Sequence, residues 1–199
     1  MFLRNYYNLL ARCALNLTSD VAYTGYGDSS LSIKTTKGNY ISLFDPGEMN
    51  YTVYALTDFN IVFSDNNRGI VFGSGNEPVT FEDYKMGTLL TSGLNTSKVS
   101  TSNITYDSAL HKFNCTSKYT LSNSSNNEII IREYGFQTER YKYQEGTLAF
   151  LIFRDLIEPY ALQPSESVNV ILNASYTMPT IDQSGNVVAG TQAYGLAIE

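Results

Sequence analysis

Arg68–Met86 reads RGIVFGSGNEPVTFEDYKM and Glu128–Pro179 reads EIIIREYGFQTERYKYQEGTLAFLIFRDLIEPYALQPSESVNVILNASYTMP, and these two stretches decide the fold of the chain. They contain four segments of strand-forming residues, separated by turns. In the last segment, Val168 to Met178, apolar and polar residues alternate with Ile171 as the one exception. Such alternation predicts a strand with one face in a core and the other in water.

Strand-like segments recur along the rest of the chain without alternating helices. Hairpins are predicted at Lys37-Gly38-Asn39 and at Ser184-Gly185-Asn186. The Ser/Thr/Asn-rich stretch 88–105 is interpreted as an exposed loop or a solvated edge strand. This pattern predicts an all-β fold, an antiparallel β-sandwich of jelly-roll type with one short N-terminal helix.

The predicted helix is amphipathic and occupies residues 1–16, followed by a single β-sandwich domain over 17–199. Its apolar residues fall at helical spacing on one face: Phe2, Tyr6, Leu9, Leu10 and Cys13. Two roles stay open for it. It is either a lid packed on the end of the sandwich or an arm that docks on a neighbouring subunit.

Charge and composition restrict the partners. The net charge is -6, so the attraction to phosphate that drives nucleic-acid and anionic-membrane binding is absent. The start of the chain lacks the uninterrupted apolar stretch of an export signal, and no run approaches the roughly 18 apolar residues of a membrane span. We therefore expect no nucleic-acid partner and no membrane partner.

The sequence offers few residues that could bind a metal ion or take part in redox chemistry. The chain has one histidine, His111, and two cysteines, Cys13 and Cys115, with no CxxC motif. A structural zinc site cannot be built from that set, and we expect no cofactor. Two separate reduced thiols are favoured over a Cys13–Cys115 disulfide.

No pattern of residues announces catalysis. Gly73-Ser74-Gly75 lacks the residues that complete a nucleotide-binding loop, so it is interpreted as a turn after a strand. His111 has no nucleophile motif to serve and is interpreted as a solvated strand-end residue. Nothing in the sequence pairs two carboxylates across a cleft, as a glycosidase requires, among Glu82, Asp83, Glu133, Glu139, Asp155 and Glu158. We expect no enzyme activity.

Glu133 and Arg154 carry opposite charges within or at the end of apolar strand segments. Burying either charge alone is costly, so each needs a partner. We therefore predict that Glu133 and Arg154 are neighbours in a structural ion pair. Arg154 is expected to reach backbone carbonyls or Asp155 as well.

The order of several short motifs resembles a family of small structural proteins of tailed-phage virions. The matching residues cover most of 68–178: Gly73-Ser74-Gly75, Pro78, Asp83-Tyr84, Glu133-Tyr134-Gly135-Phe136, Leu151-Ile152-Phe153-Arg154-Asp155, Pro164 and Ser165-Glu166-Ser167 before Val168. The chain departs from the family pattern at Met86, where Leu is usual, and at 165–167, where a Pro-Gly type of turn is usual. The resemblance implies a β-sandwich that oligomerises in the virion without catalysis.

These observations predict a non-enzymatic virion component, made in the host cytoplasm, whose partners are further copies of itself and other virion proteins. It would dock on capsid, neck or tail. An alternative is a carbohydrate- or receptor-binding module of a fibre, with a host glycan as ligand, since the chain has 16 Tyr and 10 Phe. Exposed tyrosines in loops would favour that alternative.

Overall fold

The structure is a computed structural model that describes residues 1–8, 32–42, 69–101, 104–142, 146–188 and 190–199. Its sheets are antiparallel, and the predicted all-β, sandwich-like class is confirmed. The jelly-roll connection stays a prediction. The strands predicted near 51–55 and 59–63 lie outside the described residues, as do Leu9, Leu10 and Cys13.

The chain divides into two compact units. Unit 1 comprises Met1–Thr91 and Ile130–Ala161, and unit 2 comprises Ser92–Ile129 and Leu162–Glu199. A single domain over 17–199 stays a prediction beside this division. Each unit is described below by itself.

Among its described residues, unit 1 contains a hairpin and a three-stranded sheet. The hairpin is formed by β1 (Ser32–Lys34) and β2 (Tyr40–Ser42), with Gly38 at φ 92° in the turn, as the sequence predicts. The sheet has the order β3-β7-β8. Its strands are β3 (Gly69–Gly73), β7 (Ile129–Lys142) and β8 (Gly146–Leu162), whose bordering residues Ile129 and Leu162 belong to unit 2.

The start of the chain adds to this sheet before it becomes helical. Leu3 N donates to Ile152 O at 3.0 Å, and Phe2 forms an antiparallel bridge with Phe153. Residues 4–8 are helical, so the prediction that Phe2 is a helix residue is wrong. Its extended backbone pairs with β8 instead, and its ring packs 4.3 Å from that of Tyr6. These contacts hold residues 1–3 along β8. The choice between a lid and a docking arm stays a prediction.

Unit 2 is built on a five-stranded sheet of order β12-β9-β6-β4, in which β5 also pairs with β6. The strands are β4 (Leu94–Thr101), β5 (Thr105–Asp107), β6 (Lys112–Asn123), β9 (Ser167–Thr177) and β12 (Thr191–Ile198). The alternation predicted for 168–178 is observed through Ala174, because Val168, Val170 and Leu172 are buried while Asn169 and Asn173 are exposed.

Two predictions outside the central strands are confirmed. The stretch 88–105 contains β4, which lies at the edge of its sheet and has a bulge between Lys98 and Ser100. The hairpin predicted at Ser184-Gly185-Asn186 joins β10 (Thr180–Ile181) and β11 (Val187–Val188). No helix in the described part of the chain has the length and hydropathy needed to cross a membrane.

Candidate functional site

A carboxylate lies at the centre of unit 1. Glu133 sits in β7 among apolar residues and is 0% exposed. The sequence around Glu133 is IIIREYGF, whose β-branched and aromatic residues favour a strand. This strand carries the Glu133 carboxylate into the interior of unit 1. An ionised carboxylate so buried requires compensating donors.

The donors come from the irregular segment after β3 and from β8. One oxygen of Glu133, Oε1, accepts hydrogen bonds from Gly75 N at 3.0 Å and Thr88 N at 2.9 Å. The other, Oε2, accepts from Gly87 N at 3.1 Å and from Arg154 Nε at 2.6 Å. Each oxygen therefore accepts two bonds, which uses the full acceptor capacity of a carboxylate.

Glycines make room for this carboxylate. A Cβ atom on Gly75 would lie 2.6 Å from Glu133 Oε1 and 2.8 Å from Gly87 Cα. Such distances are shorter than real Cβ contacts, so backbone or carboxylate would have to shift. Gly73-Ser74-Gly75 is therefore more than a turn after β3: Gly75 allows the chain to approach Glu133 closely enough to donate its N–H.

Arg154 binds four groups around it. Besides Glu133, its Nη1 donates to Asp83 Oδ2 at 2.7 Å and its Nη2 donates to Glu77 O at 3.2 Å. The Glu77 carboxylate is 3.9 Å from Nη2 and largely exposed. Burial lowers the pKa of Arg154, but its hydrogen bonds to Glu133 and Asp83 outweigh burial and raise that pKa above its ordinary value. The guanidinium stays charged.

Asp83 accepts hydrogen bonds from Thr80 in its own loop as well as from Arg154. Its carboxylate accepts from Thr80 N at 3.1 Å and from Thr80 Oγ1 at 2.7 Å. Burial raises the pKa of Asp83, yet the bonds from Thr80 and Arg154 together bring that pKa below its ordinary value. We call Glu133, Arg154, Asp83 and the backbone donors of residues 75, 87 and 88 the buried ion cluster.

The structure thus brings the predicted pair Glu133 and Arg154 into direct contact. The expected backbone carbonyl is that of Glu77. The expectation that Arg154 reaches Asp155 is wrong: Asp155 Oδ2 lies 3.5 Å from the amino terminus of Met1. Successive side chains of a strand point to opposite faces, so Asp155 cannot share the face of Arg154.

The geometry of the buried ion cluster favours a structural role over a catalytic one. With both oxygens saturated and no exposure, Glu133 has no lone pair to offer a substrate. Asp83 is held by the same guanidinium, and Glu82 forms an exposed ion pair with Arg4. These contacts favour a structural role for the carboxylates that a glycosidase would need. The side chain of Glu139 lies outside the described residues.

The remaining candidates are separate from this cluster. His111 lies in the exposed turn before β6, with Nδ1 3.1 Å from Tyr106 OH. Cys115 is buried in β6. Within the described ranges, no group of three or more His, Cys, Asp or Glu side chains is placed to hold a metal ion.

Two buried asparagines could not be predicted from the sequence. Asn5 accepts a bond from Lys34 N and donates to Lys34 O and Leu151 O, all within 3.0 Å. In unit 2, Asn123 donates to Asn127 O at 2.8 Å and to Leu162 O at 2.9 Å. Asparagine is common in this chain, so neither position carries a signal that would have distinguished it.

Unit 2 exposes apolar side chains at one end of its sheet. Ile181 and Val187 face each other across the β10–β11 hairpin and are 73% and 75% exposed. Leu110 and Met178 are exposed at the same end, where Met178 N donates to His111 O at 2.8 Å. We call Leu110, Met178, Ile181, Val187 and Val188 the apolar end.

The hairpin that presents this end has a well-formed turn. The carboxylate of Asp182 accepts from Ser184 N and from Asn186 N, each at 2.9 Å. Gly185 adopts a φ of 83°, which suits a residue without a side chain. An ordered turn therefore keeps the apolar side chains of this hairpin in exposed positions.

A comparison of the chain with protein-family models, with curated proteins and with solved structures finds no match. The resemblance to small structural proteins of tailed phages stays a prediction.

Proposed function

We propose that this protein is a non-enzymatic structural component of a tailed-phage virion, which acts through homo-oligomeric assembly and docks on capsid, neck or tail. The observation that carries the proposal is the apolar end of unit 2. Ordered, exposed aliphatic residues grouped at one end of a sheet are typical of surfaces that a partner covers. The order of motifs across 68–178 supplies the virion setting, with the protein made in the host cytoplasm.

The buried ion cluster supports the same proposal from another direction. Its buried charges, Glu133 and Arg154, hold the 74–88 segment against the sheet of unit 1. A structural component needs its irregular segments held in one conformation. The cluster accomplishes this with buried groups and leaves the surface to contacts with neighbours.

Light scattering after size-exclusion chromatography of the full chain tests the assembly. We expect a mass above that of the monomer, and a fall toward the monomer when the double variant Ile181→Thr/Val187→Thr removes the exposed pair while keeping β-branched residues. Leu156→Thr, an exposed leucine of β8, is the matched control and should leave the mass unchanged. A wild type that is monomeric at every concentration would overturn the proposal.

The virion setting has its own test in the genes beside this one. Portal, major capsid or tail genes in the same cluster would support it. A neighbourhood of metabolic genes would overturn the virion setting while leaving homo-oligomeric assembly to the light-scattering result.

A carbohydrate- or receptor-binding module is the second candidate, and Tyr106 is the observation that favours it. Its ring is about half exposed in β5, 4.8 Å from that of Phe113, and its hydroxyl lies against His111. Exposed aromatic rings serve as stacking platforms for sugars. Binding on a glycan array that is lost in Tyr106→Ala would support this function, and an array without any bound glycan would count against it.

A further inference from the structure

We infer that unit 1 binds an acidic sugar on a surface patch formed by Lys34, Tyr40, Tyr84 and Lys85, which we call the Lys–Tyr patch. The ligand is a pyranose that carries a carboxylate, as sialic and uronic acids do. Its carboxylate binds between the two ammonium groups, and its ring lies against Tyr40. The inference goes beyond the proposed function, because it uses no residue of the apolar end and does not involve Tyr106.

Two ammonium groups lie around one tyrosine ring. Lys34 Nζ is 3.8 Å from the centre of the Tyr84 ring, and Lys85 Nζ is 5.9 Å from the same centre. Lys34 Nζ is also 5.2 Å from the centre of the Tyr40 ring. A cation within about 6 Å of an aromatic ring is attracted to its face. The two rings therefore hold like charges close together at the surface.

No carboxylate neutralises these two lysines. Among the residues that the structure describes, neither Lys34 nor Lys85 forms a salt bridge. The two acids just before Tyr84 are bound elsewhere, because Glu82 and Asp83 each pair with an arginine. On a chain with a net charge of -6, the patch is a local positive site. A compact anion between the ammonium groups would relieve their repulsion.

The β1–β2 hairpin holds Lys34 in place. The side chain of Asn5 donates to Lys34 O at 2.8 Å and accepts from Lys34 N at 2.8 Å. Two residues further on, Thr36 N donates to Ala149 O of β8 at 2.8 Å. Because the backbone on both sides of the Lys34 side chain is fixed, this lysine loses little freedom when it binds a ligand.

The buried ion cluster holds the other half of the patch. Tyr84 and Lys85 lie between Asp83 and Gly87, and both of these residues take part in the cluster. The hairpin turn comes close to the same ring, since a Cβ atom on Gly38 would lie 3.6 Å from Tyr84. Binding groups that are held by such supporting contacts form a preorganised site. The cluster therefore positions a surface site as well as stabilising the segment.

The chemistry of the patch selects an acidic sugar among anions. Tyr40 is 65% exposed, and its ring offers an apolar face with a hydroxyl group at one end. Such a ring suits the C–H face and the hydroxyl groups of a pyranose. Lys34 and Lys85 supply charged donors for a carboxylate. A long polyanion such as a nucleic acid is disfavoured, because the chain as a whole is negative.

Isothermal titration of the full chain with sialyllactose and with digalacturonic acid tests the ligand class. We expect at least one of these acidic sugars to bind, and their comparison distinguishes a sialic from a uronic acid. Lactose is the neutral control for sialyllactose and should bind about fivefold more weakly than a bound acidic sugar, since it lacks the carboxylate. A chain that binds neither acidic sugar would overturn the inference.

Variants of the patch test the place of binding. Lys34→Gln and Tyr40→Ala should each raise the dissociation constant of the bound sugar about fivefold. Lys34→Arg keeps the charge and the contact with the rings, so it should retain the wild-type affinity. Lys118→Gln is the matched control, because it makes the same change at an exposed lysine of β6. All four variants should keep the wild-type melting temperature.

The outcomes separate this site from the functions proposed above. A dissociation constant that neither Lys34→Gln nor Tyr40→Ala changes would overturn the Lys–Tyr patch. If Tyr106→Ala alone removes binding, the glycan binds at the site of the second candidate function and the patch is overturned. A tetraglutamate peptide that binds as tightly as the sugars would overturn the sugar as ligand and favour an acidic protein segment.

Discussion

Arg154 Nε donates to Glu133 Oε2 across 2.6 Å in the interior of unit 1, where Arg154 is 3% exposed and Glu133 is fully buried. The pair is surrounded by backbone donors and by Asp83, so neither charge depends on the other alone. Replacing a complete buried pair with apolar residues is often neutral, whereas removing one partner leaves an uncompensated charge. This asymmetry determines what single substitutions should do.

Glu133→Gln should lower the free energy of unfolding by about 3–5 kcal/mol, because Arg154 loses its fully buried counter-charge and keeps only the partly exposed carboxylate of Asp83. The new amide also presents N–H donors to a site whose neighbours are themselves donors. Urea denaturation measures the loss. Glu158→Gln removes an exposed carboxylate of β8 and should change the stability little; equal losses in both variants would contradict a special role for Glu133.

Gly75→Ala should destabilise the protein by about 1–3 kcal/mol, as is usual when atoms are forced into a packed site. Its Cβ would lie 2.6 Å from Glu133 Oε1. Gly195→Ala is the control, because nothing lies within 4 Å of a Cβ there. Thermal unfolding of the two variants compares a position with no room for a Cβ atom and a position with room for one. A similar melting temperature for both variants would refute close packing at Gly75.

Asp83 should make stability depend on pH in the acid range. Its folded pKa is depressed below the ordinary 3.8, so the unfolded chain binds more protons there than the folded chain. The contribution of Asp83 is complete above 3.8 and disappears as the pH falls through the lower folded pKa. Asp83→Asn should therefore be less stable at neutral pH and lose less stability on acidification.

Urea denaturation of wild type and Asp83→Asn at a series of pH values from neutral down to about 2 measures this difference. The two stability curves should converge as the pH falls. Parallel curves would show that Asp83 contributes nothing to the acid sensitivity, and Glu158→Gln should run parallel to the wild type.

Asn5→Ala should cost about 1–3 kcal/mol, because Lys34 N–H and the carbonyls of Lys34 and Leu151 lose a buried partner. Hydrogen exchange at the Lys34 amide gives a local reading, and its protection should fall. Asn169→Ala, an exposed asparagine of β9, should leave stability and exchange as they are. An unprotected Lys34 amide in the wild type would contradict the contact.

The amino-acid sequence determined the strands and one pair within the site. Alternation along 168–174 and the apolar runs of β7 and β8 predicted the class of fold, because burial of a face requires that periodicity. Glu133 and Arg154 could be paired in advance, since a charge in an apolar strand needs a counter-charge. β12 was missed because Gly195 and the alanines on its outer face weaken the polar half of the alternation.

The tertiary structure alone decided which groups complete the buried ion cluster. Asp83 is 71 residues from Arg154 and lies in a segment with two other acids, Glu77 and Glu82, so no local pattern selects it. The roles of Gly75 and Asn5 depend on distances between segments far apart in sequence. Local periodicity specifies which side of a strand is apolar, whereas the partner of a buried polar group is set by the three-dimensional path of the rest of the chain.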